Sequence, residues 1–337
     1  MRPVSLVGVA SYMPEKIVGN DFFQDGDDDA DVPLMFRGIK QRHHVARDES
    51  ASSMIAKASR RLAENLNLDL SRDVDLLLTN VTCPDMPFLG CGAVVAHDLG
   101  VRPKAVYDLH NGGCISFLIM LELARSLMTT HGYQSALLCN VQNAAGRLFA
   151  QGENRLRKQA RIPGDGCGVG YLTASAECPV KSVIVRNYGE YASDMNVVRD
   201  DQSCWWEPSL SSAYVDFNET KIADIMARAN RMVPDVLREA CRMAELPPAE
   251  VGTLITNQPN RIFLRNWREA MQLPPTRHVN TFERHGNLFG AALPICMEEA
   301  LRTGQLTPDS HVLMGGFSHA GDYAAAAVVH WRPATAT

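Results

Sequence analysis

Asp73-Val-Asp-Leu-Leu-Leu-Thr-Asn80 returns, altered but recognisable, as Glu250-Val-Gly-Thr-Leu-Ile-Thr-Asn257. Both stretches open on an acid, run through an apolar core and stop at Thr-Asn, which is how a strand buried on both faces reads. The next elements repeat as well: a Gly-containing turn, a long helix and a further strand, at residues 136–141 in one case and 311–316 in the other. Self-similarity at a nearly constant offset predicts a duplicated chain. Its boundary falls near residues 178–181, giving an N-terminal half over 1–178 and a C-terminal half over 179–337.

Outward from that pair, short apolar runs alternate with longer amphipathic ones. Strands are predicted over 4–10, 74–80, 105–109, 136–141, 168–173, 183–187, 253–257, 311–316 and 324–329, and helices over 52–66, 114–130, 222–246, 262–271 and 290–302. This alternation predicts an α/β protein with helices on both faces of its sheets. A hydrophobic content of 46% over 337 residues is enough for a large core. The 33 Lys and Arg against 38 Asp and Glu leave a net charge of −5, which offers no general attraction to nucleic acid or to an anionic membrane. Nine scattered cysteines without a CxxC pair read as reduced thiols, with neither a disulfide frame nor a metal site. With no signal segment and no run judged long enough for a bilayer, a cytoplasmic protein is expected. The acidic run Asp27-Asp28-Asp29 reads as a solvated loop. Residues 143–163, with the basic stretch Gln151-Gly-Glu-Asn-Arg-Leu-Arg-Lys-Gln-Ala-Arg161, read either as the cover of a site or dimer partner or as a solvated surface helix.

Cys114 stands apart from the other thiols. Tyr107-Asp-Leu-His-Asn-Gly-Gly113 leads from a strand through two glycines into a helix that starts at the cysteine. A helix N-terminus stabilises thiolate and lowers its pKa, and glycines let an acyl carbonyl approach the backbone. The helix after the cysteine is apolar nearly all round, so it is expected to be buried and to hold the cysteine rigidly.

These residues resemble a family. Asn111-Gly-Gly-Cys-Ile-Ser-Phe117 is similar to the active-site cysteine motif of ketoacyl synthase III (KAS III) enzymes, usually Ala-Cys-Ser-Gly-Phe. Gly38-Ile-Lys-Gln-Arg42 resembles the family's early Gly-Ile-Arg segment, and Gly164-Asp-Gly-Cys-Gly168 its Gly-Asp-Gly-Ala-Gly turn. Gly286-Asn287 is similar to part of Tyr-Gly-Asn-Thr, and Gly315-Gly-Phe-Ser318 to the glycine-rich oxyanion loop. The matches run in order along nearly the whole chain. The resemblance implies a five-layered αβαβα thiolase fold made of two duplicated halves, and a homodimer. It also implies acyl groups delivered as thioesters of acyl carrier protein phosphopantetheine or coenzyme A, with no permanently bound cofactor.

The family pairs its cysteine with a histidine and an asparagine. Here the family's His-Gln-Ala-Asn reads Asn257-Gln258-Pro259-Asn260, while Asn287 is kept. An amide donates a hydrogen bond but takes no proton at neutral pH, so decarboxylative condensation is expected to suffer. His285, where the family usually has Tyr, is expected to bring an imidazole back, with Asp322 orienting it and His319 as a rival. The resemblance to KAS III-like acyltransferases of antibiotic and polyketide pathways, which use a Cys-His-Asp set, assigns those roles to Cys114, His285 and Asp322. Backbone amides of Cys114 and Gly316 are expected to form the oxyanion hole, assisted by Asn257 and Asn287. Arg261, Arg265 and Arg268 form either a basic rim for an acidic carrier protein or a solvated helix face. The expected reaction is transfer of a polyketide-derived or malonyl-type acyl group from a carrier-protein or coenzyme A thioester, through Cys114, to a hydroxyl or amine of a natural-product acceptor such as a sugar or aminocyclitol. The alternatives are a decarboxylative 3-oxoacyl synthase and a non-catalytic thiolase-fold partner subunit.

Overall fold

The computed structural model describes residues 3–23, 35, 37–110, 112–217 and 221–332. The acidic run at 27–29 and Asn111 of the cysteine motif lie outside them. The N-terminal half runs β1 (Ser5–Tyr12), β2 (Lys16–Gly19), β3 (Gln41–His44), α1 (Ala51–Leu66), β4 (Leu76–Val81), α2 (Gly92–Leu99), β5 (Ala105–Leu109), α3 (Ser116–His131), β6 (Ser135–Gln142) and β7 (Gly166–Thr173). The C-terminal half runs β8 (Val180–Asn187), β9 (Met195–Val198), β10 (Tyr214–Phe217), α4 (Ile222–Met243), β11 (Val251–Thr256), α5 (Arg261–Ala270), α6 (Phe282–His285), α7 (Ala292–Arg302), β12 (Ser310–Ser318) and β13 (Tyr323–Trp331).

Each half supplies one principal sheet. The first has the order β1-β7-β6-β4-β5 and the second β8-β13-β12-β11, so that β1, β7, β6 and β4 have counterparts in the same sequence across the sheet. Pairing directions agree too: β4 with β6, and β11 with β12, are parallel, while the remaining counterpart pairs are antiparallel. Among the described residues, β5 has no full counterpart. A single parallel bridge between Leu254 and His278 stands where Leu77 pairs with Val106.

Strand β4 shows why both sheets are covered twice. Successive side chains of a strand point to opposite faces, and Leu76 and Leu78 enter one core while Leu77 enters another. The core shared by the two sheets contains α3 and α7, through Phe117, Leu121, Leu293 and Met297. Outside the first sheet lie α1 and α2, with Met54, Leu62 and Val95 on Leu77 and Val169. Outside the second lie α4 and α5, with Leu237 and Trp267 on Leu254 and Leu313. The result is the expected α-β-α-β-α stack.

Two expectations change. No run was expected to reach the length of a bilayer span, yet Gly113–His131 is long and apolar enough to cross a membrane by length and composition. Here it packs between the sheets, with Phe117, Leu118 and Met120 fully buried. Residues 143–163 form no surface helix. They fold as a π-turn, Ala145–Phe149, and two 3-10 segments, Gly152–Leu156 and Lys158–Arg161. The short elements β2, β3, β9, β10 and α6 are not predicted from the pattern, because four residues carry too little periodicity to read.

Candidate active site

Cys114 stands in a single 3-10 turn, Gly113–Ile115, on which α3 begins. Gly113 has φ +48°, and a Cβ there would lie 2.0 Å from Ser318 Oγ and 2.8 Å from His319 Nε2. Only glycine meets both demands, the left-handed backbone and the close approach of a turn from the other half. Ser318 closes the contact by donating from Oγ to the Gly112 carbonyl at 3.0 Å.

Two amides face the sulfur. Asn287 accepts the Phe289 N–H at 3.1 Å through Oδ1, which fixes its Nδ2 toward Cys114 Sγ at 4.0 Å. Asn257 donates through Nδ2 to the Phe317 carbonyl at 3.0 Å. Burial pushes the Cys114 thiol up to about 12; N–H groups of Asn257 and Asn287 pull the other way, and the Asp322 charge adds to the rise. The direction is opposite to the depressed pKa expected of a helix N-terminus, because desolvation is the largest influence on this thiol.

His285, expected as the base, lies outside the cavity. His285 ends α6, and Gly286 (φ +66°) turns the chain after it, so that Asn287 enters the cavity while the His285 ring packs on His43, centroids 5.4 Å apart. His285 does not line the cavity, its Nδ1 is buried without a partner, and burial with the neighbouring His43 and Arg284 drives its pKa down to about 4. Asp322 orients the rival instead. Its carboxylate oxygens lie 3.0 and 2.9 Å from His319 Nδ1. With Nδ1–H donating to the carboxylate, Nε2 carries the lone pair and faces Gly113 beside the nucleophile. Among the described residues no hydrogen bond joins His319 to Cys114, and both line the same cavity.

That dyad is built into a braced turn. His319 has φ +48°, rare for a non-glycine residue, and Gly321 N–H closes on the Ser318 carbonyl at 2.8 Å. From behind, Arg228 of α4 donates to the Ala320 carbonyl at 3.2 Å while paired with Asp194 at 2.7 Å. The Asp322 carbonyl accepts from Tyr188 N–H at 2.6 Å. Gly316 has another task than the one expected. It lies inside β12, outside the cavity wall, and a Cβ on it would fall 2.1 Å from Asn257 Oδ1, so its bare Cα makes room for that amide.

Cys114, Asn257, Asn287 and His319 all open onto a cavity of about 390 Å³. Its walls are largely apolar, with Leu148, Phe149, Met226, Phe263, Phe289 and Phe317 among them. Leu148 and Phe149 come from the π-turn, so the 143–163 segment does cover the site. Asp165 holds that turn by accepting the N–H groups of Ala145 and Gly146 at 2.8 and 2.7 Å and of Val45 at 2.8 Å.

With this geometry in place, residues 241–331 match the family model of 3-oxoacyl-[acyl-carrier-protein] synthase III, C terminal. The chain is 24% identical over 318 residues to a β-ketoacyl-[acyl-carrier-protein] synthase III of Thioalkalivibrio sulfidiphilus, covering 94% of this chain and 96% of the relative. To the protein so named from Granulibacter bethesdensis it is 26% identical over 320 residues, covering 93% and 95%. The Thermus thermophilus β-ketoacyl-[acyl-carrier-protein] synthase III superposes with a TM-score of 0.84 at 24% identity, over 98% of this chain and 100% of that one. A priming β-ketosynthase of a polyketide pathway gives 0.85 at 21%, over 98% and 97%. The fold is the thiolase fold. Over nearly its whole length the chain is thus similar to KAS III enzymes, and its C-terminal residues 241–331 match their family model.

The arginines considered as a basic rim are partnered. Arg261 lies 2.7 Å from Glu283, and Arg265 and Arg268 lie 4.0 and 3.2 Å from Glu269. Of the residues named from the sequence, Cys114, Asn257 and Asn287 line the cavity and Asp322 pairs with His319, which also lines it, while His285 does not. The signal that favours His319 is its place three residues before Asp322, with Gly321 between them.

Proposed function

We propose that this KAS III-like protein is an acyltransferase that carries an acyl group on Cys114 and hands it to a hydroxyl or amine, with His319 as general base and Asp322 as its orienting partner. The observation that carries the reading is the His319–Asp322 dyad, whose free Nε2 faces the nucleophile turn. In the first half-reaction the Cys114 sulfur attacks the thioester carbonyl, the bond from that carbon to the carrier sulfur breaks, and the thiol proton leaves on the carrier. In the second, the acceptor oxygen or nitrogen attacks the acyl-enzyme as His319 Nε2 takes its proton; the carbon–Cys114 bond breaks and the proton returns to the sulfur. Asn257 and Asn287 supply N–H groups to the developing oxyanion. The acyl donor is a thioester of acyl carrier protein or coenzyme A, as the likeness to carrier-protein synthases suggests.

Condensation is the second reading, and the names of the relatives favour it over transfer. Against it stands Asn257, an amide where the family has a histidine. Incubation with acyl thioesters followed by intact-mass measurement is expected to show one adduct per chain, absent in Cys114→Ala. Adding an acceptor then releases ester or amide without carbon dioxide. Stoichiometric carbon dioxide and a β-keto product on adding a malonyl thioester instead would replace transfer by condensation.

A further inference from the structure

The cavity holds a second imidazole for which the proposed reaction has no use. His110 lies four residues before Cys114, at the end of β5, and lines the same cavity. The other hydrogen-bonding side chains of the wall, apart from the residues at the sulfur, are already engaged. Asn80 donates to the Leu109 carbonyl at 2.9 Å, Thr82 to that of Val141 at 3.2 Å, Gln159 to that of Val215 at 2.9 Å, and Asn260 accepts from Phe263 N–H at 2.9 Å. Among the described residues the His110 ring has no protein partner, and it is exposed. It also borders a side cavity of about 190 Å³ that shares Val81 with the main one and is walled by Thr79 and Asp108. That neighbour has its own closed network, in which Asp108 accepts from the Thr79 hydroxyl and from the Cys91 and Gly92 N–H groups.

We propose that His110 is a specificity-determining residue, selecting acyl groups that carry a hydrogen-bonding oxygen (hydroxyl, keto or carboxylate) a few bonds beyond the thioester. An exposed imidazole without a protein partner bonds to water as donor and acceptor, and a purely aliphatic chain that covers it displaces that water with nothing in exchange. A chain with an oxygen at that depth replaces the lost water. Such discrimination is strong because the penalty falls on the substrate lacking the group. The proposal rests on the reading of Cys114 as acyl carrier.

The test compares the rates at which butanoyl, 3-hydroxybutanoyl and malonyl N-acetylcysteamine thioesters label Cys114, read by intact mass in a single turnover. The wild-type protein is expected to favour the two oxygen-bearing acyl groups, and His110→Leu to lower each rate ratio to butanoyl by about tenfold. His110→Gln keeps a neutral donor and acceptor. It should restore the 3-hydroxybutanoyl ratio, and restoring the malonyl ratio as well would show that hydrogen bonding, rather than charge, is what His110 supplies. Ratios that residue 110 does not move, or a wild-type preference for butanoyl, overturn this proposal alone. No adduct on Cys114 with any thioester overturns the acyl-carrier reading, and this inference with it.

Discussion

The turn at His285 and the turn at Ser318–Asp322 each present a histidine close in space to the nucleophile's surroundings, and the fold uses them in opposite ways. At the first, the ring leaves the cavity and packs at a tilt against His43, and burial lowers its pKa to about 4. At the second, a carboxylate at 2.9 Å holds Nδ1 and the other nitrogen is turned toward the cysteine turn. An imidazole becomes a base through its partner and its aim rather than through proximity in sequence to a motif.

The sharpest way to break that contrast is to remove each ring in turn. With the acyl-enzyme formed first and an alcohol acceptor added last, His319→Ala is expected to slow transfer by about 10²–10⁴-fold, the usual worth of a positioned imidazole. His285→Ala should stay within about threefold of wild type, as expected of a residue outside the cavity. The reverse order of effects would return the base to the His285 turn.

Asp322→Asn probes the same dyad more gently. The amide keeps the shape but disturbs the Nδ1–H tautomer, so deacylation should fall by roughly 10–10³-fold, with acyl loading less affected. Equal losses in loading and transfer would make Asp322 a brace for the turn rather than the partner of a base.

The smallest effect belongs to stability. Like His44 and His278, both buried with pKa values lowered to about 4 chiefly by desolvation, His285 is neutral in the fold. Between pH 6.5 and about 4 the unfolded chain therefore binds protons that the folded chain refuses. Stability should be full above pH 6.5 and should decline as the pH falls through that window. His285→Phe is expected to make the decline shallower by about 1–2 kcal/mol, measured by urea unfolding across the range. An unchanged slope would show that the His285 ring is protonated in the fold.

The legible part of this protein is the part governed by local pattern. Runs such as Leu76-Leu77-Leu78 must be buried on two faces wherever the chain puts them, so the strands, the duplicated order and the layered stack followed from periodicity. The Gly-Gly-Cys turn announced the nucleophile because a strand, two glycines and an apolar helix are consecutive in sequence. The two asparagines were found because each sits within a recognisable motif.

Three matters were settled only when distant segments met. How far the Cys114 thiol is raised depends on how completely its surroundings desolvate it. Which imidazole enters the cavity depends on backbone turns at Gly286 and His319 and on the closure of Ser318 onto Gly112, a contact between residues far apart in the chain. Gly316, read as an oxyanion donor, turned out to make room for Asn257, a steric relation that no spacing in one dimension encodes. Sequence alone thus determined the longer strands and helices and singled out Cys114, because those follow from neighbours along the chain. The tertiary structure alone decided how deeply Cys114 is desolvated and which imidazole lines the cavity, because both are set by what surrounds a side chain in space.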